Sequence, residues 1–239
     1  MKNIWQPGIH LILLNTEPKM SNLIEKYLTL KNRYRNYDTK HALKRMQAFR
    51  LAIQELSNKG YRVALELLGS INFGLADPSS DADTILLHFC ELHKNEGSCP
   101  EDCPNYFFEK TEIIKFVNRR LGDQNFKIDF LDNINLTYVD ASIQNGEFSD
   151  NETLNRLLFY RNLGRPVNRP LFIPYCEILE DNPAFIQELI PWATEALAGY
   201  LRTNQHRLSF NKYNERITSQ GMLLPKELEI ELKKYLDGD

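Results

Sequence analysis

Asp81 and Asp83 are the residues of this sequence best placed to do chemistry. They stand two apart at the head of Thr84-Ile85-Leu86-Leu87, a buried-strand pattern, and strand alternation puts both carboxylates on one face. Two carboxylates this close repel unless a cation lies between them. Mg²⁺ suits that position, because it takes oxygen ligands and binds through one or two carboxylates together with phosphate oxygens. Upstream, Gly69-Ser70 falls where the strand pattern of residues 62–68 ends and a short helix or turn begins. Backbone N–H groups at such a junction, with the Ser70 hydroxyl, form a cradle for phosphate. Between the two lies Asp77-Pro78-Ser79-Ser80, strong turn chemistry that delivers Ser80 to the aspartates. A phosphate cradle beside a cation-binding carboxylate pair predicts a nucleoside triphosphate site. The bland alternative is two turns with capping aspartates, which does not require both acids in strand register.

The run Gly69-Ser70, three residues, Gly74-Leu75, four residues, Ser80-Asp81-Ala82-Asp83 resembles the signature of the polymerase-beta-like nucleotidyltransferase superfamily. The match covers about nineteen residues directly, and the order of elements around it extends it over residues 40–132. The resemblance implies an α/β fold of the α+β type, with a mixed sheet, packed helices and a helical domain after it. It implies Mg²⁺-dependent transfer of a nucleoside monophosphate from an NTP to an acceptor hydroxyl, with release of pyrophosphate. Two Mg²⁺ ions per site are implied, one held by Asp81 and Asp83, the other by all three acids, the third lying on a later strand. Asp129, within Lys127-Ile128-Asp129-Phe130-Leu131, is the candidate for that acid. Asp132 would face away from Asp129 on a regular strand, and Asp140 is the runner-up. The alternatives are a nucleotide-binding regulatory relative without turnover, or an interaction module of the toxin–antitoxin kind.

A second group of ligand types lies just downstream. Cys90, His93, Cys99 and Cys103 have the spacing C-x2-H-x5-C-x3-C, a set that could wrap a structural, tetrahedral Zn²⁺. The alternative is a solvent loop with incidental thiols. Further on, Arg156, Arg161, Arg165 and Arg169 surround Phe159 and Tyr160 without an intervening acid. Such a patch could meet a triphosphate or a nucleic-acid backbone, with Arg161 the preferred phosphate contact; an ordinary basic surface is the other reading. Lys212 and Tyr213 are candidates for phosphate and base contacts. His10 and His206 read as structural, and Trp192 as core.

These residues must be positioned by a chain of 239 residues carrying 29 Lys+Arg, 32 Asp+Glu and a net charge of −3. The composition, 42% hydrophobic and 26% charged, is that of a globular protein with a real core. It excludes disordered, collagen-like and disulfide-dense classes, and the net charge argues mildly against long nucleic acid as acceptor. The acceptor and the oligomeric state stay open. The first apolar run, residues 9–14, is broken by His10, is too short for a membrane span and lacks the small-residue cleavage site of a signal peptide. The cytoplasm is therefore the expected location, and the four cysteines are expected to be reduced or metal-bound.

Three parts are expected: an N-terminal extension and helix over 1–38, with one short strand near the start; a nucleotidyltransferase domain over 39–150; and a helical domain over 151–239. Helix periodicity appears at Ala42, Leu43, Met46, Phe49, Ile53 and Leu56, with Asp38 or Thr39 as cap. A helix over 105–121 is expected to bury Phe107, Phe108, Ile114, Val117 and Leu121. Residues 126–131 read as a third strand, 136–139 as a fourth, and 164–175, with three prolines, as an extended connector.

Overall fold

The computed structural model describes residues 20–237, so the expected strand near the start lies outside the described residues. The fold is α+β: a four-stranded mixed sheet with helices packed on it. In chain order the principal elements are α1 (Met20–Tyr34), α2 (Lys40–Asn58), β1 (Val63–Leu67), the single turn α3 (Gly69–Asn72), β2 (Ala82–His88), α4 (Pro104–Leu121) and β3 (Ile128–Asn135). Then come α5 (Leu136–Asn145), α6 (Glu152–Leu163), β4 (Arg165–Val167), α7 (Ile173–Glu180), α8 (Pro183–Leu201), α9 (Asn204–Ser219) and α10 (Lys226–Asp237). The sheet order is β3-β2-β1-β4; β2 runs antiparallel to β1 and parallel to β3, and β4 is antiparallel to β1.

Alternation along β1 divides the core into two. Val63, Leu65 and Leu67 pack with α2 and α4 on one face, while Ala64 joins a second cluster built with α1 and the later helices. Glu66 follows Ala64 onto the second side and is fully buried, with neither carboxylate oxygen hydrogen-bonded. Burial raises its pKa to about 8, against the opposing pull of Arg169, Lys31, Arg161 and Arg35.

Local chemistry explains the helix starts. Thr39, not Asp38, caps α2: its hydroxyl accepts from Ala42 N at 3.1 Å. That leaves Asp38 free to pair with Arg165 of β4 at 2.8 Å. Along α2 the expected apolar face is buried except for Leu43, which is 51% exposed.

Three expectations are corrected. Residues 136–139 form the start of α5, not a strand, because the Asn135 side chain caps the helix by accepting from Thr137 N and Leu136 and Val139 then share a buried face. Cap and packing override the strand propensity of Tyr138 and Val139. The first half of α4 is turned from its expected face, with Phe107 and Phe108 exposed and Tyr106 and Glu109 buried, while further along Val117 is buried and Ile114 and Leu121 are partly buried as expected. The cause is a buried side-chain contact, since Glu109 Oε2 lies 2.6 Å from His88 Nδ1. Finally, the proline-rich segment is not one connector. It holds the edge strand β4, where Pro166 is tolerated because an edge needs fewer donors, and the first turn of α7 around Pro174. Thus a strand from beyond residue 150 completes the sheet.

Candidate active site

A cleft of about 750 Å³ opens between the sheet's β2–β3 edge and helices α8 and α9. One wall carries Gly69, Ser70, Ser80, Asp81 and Asp83; the other carries Gln205, Ser209, Lys212, Tyr213 and Arg216.

The acids meet as expected. Asp81, Asp83 and Asp129 each offer a carboxylate oxygen, and these oxygens lie within 4.8 Å of one another. Parallel pairing of β2 with β3 is responsible, for it sets Asp83 directly opposite Asp129. Immediately beyond, the register slips between Thr84 and Ile85, so that Ile85 pairs with Asp132 and Leu131 is left over. Asp132 instead takes Arg156 in a two-oxygen contact at 2.7 and 2.8 Å and accepts from the Tyr160 hydroxyl at 3.0 Å. Asp140, the runner-up, sits on α5 and accepts from Gln144 at 2.7 Å, away from the trio.

Burial and the neighbouring charges of Asp81 and Asp129 raise the Asp83 pKa to about 6, against a lowering pull from Lys127. The Lys127 ammonium sits 2.6 Å from Asp129 Oδ2. Carboxylate repulsion that Lys127 offsets only in part is the electrostatic condition for binding a hard cation, and three convergent oxygen donors fit one.

Gly69 is essential to the arrangement. Its φ is +55°, and a Cβ there would lie 2.3 Å from Asp83 Oδ2. Leu68 N donates to Asp83 O at 2.8 Å, which brings the two strands' ends together. Gly74 plays the matching part at the other end of the turn: φ is +79°, and a Cβ would strike Asp38 Oδ1. The Ser70 hydroxyl lines the cleft and has no hydrogen-bond partner among the described residues. Ser80 also lines it, but its hydroxyl is engaged with Asp77, at 3.0 Å to the amide and 3.1 Å to Oδ1.

Lys212 and Tyr213 lie on the far wall as expected, Lys212 exposed and without an ion pair among the described residues, Tyr213 buried and stacked on Phe73. Arg161 does not reach the cleft. It pairs with Glu180 at 3.2 Å and lies among the cations around buried Glu66. Arg156 and Arg165 are likewise spent on Asp132 and Asp38, so the arginine segment is internal wiring of the fold. His206 is buried at the cleft, 2.9 Å from the Tyr235 hydroxyl, with its pKa pushed down to about 4 by burial. It is therefore neutral at pH 7, in keeping with a structural role. Trp192 is half-buried, edge-on to Phe159.

Sequence reading missed Arg216, which lines the cleft and holds Asp77 at 2.6 Å. Its signal was there: it follows Lys212 by four on one helix face. Tyr27 and Tyr200, also lining the cleft, had no such signal.

In the cysteine segment, Cys90, Cys99 and Cys103 converge with their sulfurs within 4.8 Å. His93 does not join them; its Nδ1 faces Glu96 Oε1 at 3.1 Å. Among the described residues no helix is long and apolar enough to cross a membrane. No protein-family model, no curated protein and no solved structure matches this chain.

Proposed function

We propose that this protein is a Mg²⁺-dependent nucleotidyltransferase that moves a nucleoside monophosphate from an NTP to an acceptor hydroxyl. The observation that carries the reading is the convergence of Asp81, Asp83 and Asp129, the first two of them on the wall of a cleft whose opposite wall presents Lys212 and Arg216. The sequence resemblance to the polymerase-beta-like nucleotidyltransferases, which rests on Gly69, Ser70, Asp81 and Asp83, supports the same reading.

Asp81, Asp83 and Asp129 would hold the divalent ions. When bound, such ions neutralise the triphosphate and favour both the attacking and the leaving oxygen. The chain's own groups do the rest. Ser70, with the amides at the start of α3, receives a phosphate oxygen. Lys212 supplies positive charge to the triphosphate from across the cleft, and Tyr213 borders the base. Asp129 accepts the proton of the acceptor hydroxyl as its oxygen bonds to the α-phosphorus. The bond from that phosphorus to the β-phosphate bridge breaks, and pyrophosphate leaves.

The test is pyrophosphate release from each of the common NTPs with Mg²⁺ and a panel of acceptors: RNA 3′ ends, small polyhydroxyl and aminoglycoside-type molecules, proteins and nucleotides. Release with at least one pair, abolished by EDTA and by Asp81→Ala, is expected. NTP binding without release under every pairing would overturn the transferase and leave a binding protein.

A further inference from the structure

We propose that Cys90, Cys99 and Cys103 form a second metal site, holding one Zn²⁺ through three thiolates and a water. The inference is independent of the transferase reading.

In the segment 90–103, every residue of which is described, the cysteines alone are buried. Leu92, its one large apolar side chain, is 64% exposed. A loop that packed by ordinary hydrophobic burial would turn Leu92 inward and leave the small thiols where they fell. Instead three sulfurs from separate turns of the chain are gathered at one point. Cys90 follows the end of β2, Cys99 precedes Pro100, and Cys103 stands at the N-cap of α4.

The spacing of the sulfurs fits an ion. Cys90 and Cys103 Sγ are 3.7 Å apart. A disulfide requires about 2.05 Å, whereas sulfurs at about 2.3 Å from a tetrahedral zinc are about 3.8 Å from each other. Burial pushes the Cys99 thiol up, while two features favour thiolate at Cys90 and Cys103. Asn105 Nδ2 donates to Cys90 Sγ at 3.6 Å, and the N-cap places Cys103 at the positive end of an eighteen-residue helix without a side-chain cap of its own.

The backbone around the sulfurs is held as a ligand loop would be. Asn133 brackets Cys99, accepting from its amide at 2.7 Å and donating to its carbonyl at 3.0 Å. Asn135 brackets Cys90 in the same way, at 3.0 Å both ways, and donates to His93 O at 2.8 Å. Both asparagines belong to β3, the strand that begins beside Asp129. An ion here fastens the loop to the β2–β3 frame. With His93 turned to Glu96, no other His, Cys, Asp or Glu among the described residues joins the cluster, so water takes the fourth corner. Three soft sulfur donors select zinc over the hard cations suited to the cleft.

Elemental analysis of the full chain, purified under reducing conditions without added metal, is expected to give about one zinc per chain. After chelation, one equivalent of Co²⁺ should produce a near-ultraviolet thiolate charge-transfer band that the spectroscopically silent zinc form lacks. Cys99→Ser should lose the zinc and most of the band, while Cys176→Ser, at the fourth buried cysteine, should keep both. Zinc below about a tenth of an equivalent with no cobalt band would overturn the site, since a three-thiolate set binds tightly enough to survive purification. Copper in place of zinc would overturn the choice of ion, and zinc undiminished in Cys99→Ser would overturn the ligand set. None of these readouts depends on transferase activity.

Discussion

The carboxylate trio and the thiol trio stand at opposite ends of the same two strands, in opposite surroundings. Asp81 is exposed and Asp83 and Asp129 are half-buried, and Asp81 and Asp83 line a cleft of about 750 Å³. Cys90, Cys99 and Cys103 are buried and enclosed by their own loop. Oxygen donors at an open wall suit an ion that arrives with a substrate and keeps several waters; sulfur donors in a closed pocket suit one that stays. One β2–β3 frame can therefore serve exchange at one end and permanence at the other, and the donor atom and its burial set the difference.

The largest effect expected is at the open end. Asp81→Ala or Asp83→Ala should reduce pyrophosphate release by at least about a hundredfold, the scale of removing one preorganised electrostatic group, with the circular dichroism spectrum unchanged. Wild-type-like turnover in either variant would erase the distinction between the trios. Gly69→Ala should follow closely. Its Cβ would displace Asp83 Oδ2 from a 2.3 Å approach, and a misplacement near 1 Å can lower turnover about a hundredfold. Gly122→Ala is the control: φ is +69°, but nothing lies within 4 Å of the added carbon, so stability should drop while turnover holds. Equal loss of turnover in both would reduce Gly69 to a turn residue.

Asp129→Asn and Asp132→Asn sharpen the boundary of the trio. The first should be inactive and stable. The second should stay active but lose roughly 1–3 kcal/mol through the orphaned Arg156 and Tyr160, read by urea unfolding. The reverse pattern would put the wrong acid in the site. Ser70→Ala should lower NTP use by about tenfold, matching a hydrogen bond to a charged group of about 1.5 kcal/mol. Unchanged kcat and KM would remove Ser70 from phosphate binding.

The smallest effect concerns stability without metal. Asp83 holds its proton up to about pH 6 in the fold and only to the ordinary carboxylate range when unfolded. The folded state is thus favoured at low pH and loses that advantage as pH rises through about 6. Asp83→Asn should raise the Tm of metal-free protein at pH 8 by about 2–4 °C, as about 1 kcal/mol does in a chain of this size, and should leave it unchanged near pH 4. An equal shift at both pH values would mean that the repulsion is absent.

The cleft's first wall was legible because it is local. Gly69, Ser70, Gly74, Asp81 and Asp83 lie within one strand–turn–strand segment, and two-residue alternation fixes which side chains share a face. The convergence of three cysteines was legible for the same reason. The turned face of α4 was not, because the buried pair of His88 with Glu109 reverses the rule that acids face water. Nor was the fate of Arg161, which pairs with Glu180 on another helix. By itself the sequence determined the residue types, the strand that carries Asp81 and Asp83, and the glycines that let the turn close on them. Only the tertiary structure decided that Asp129 rather than Asp140 completes the trio, that Arg216 joins Lys212 across the cleft, and that His93 stays outside the thiols. Those outcomes depend on strand pairing and pairing of charge, and each is a relation between segments that no local pattern encodes.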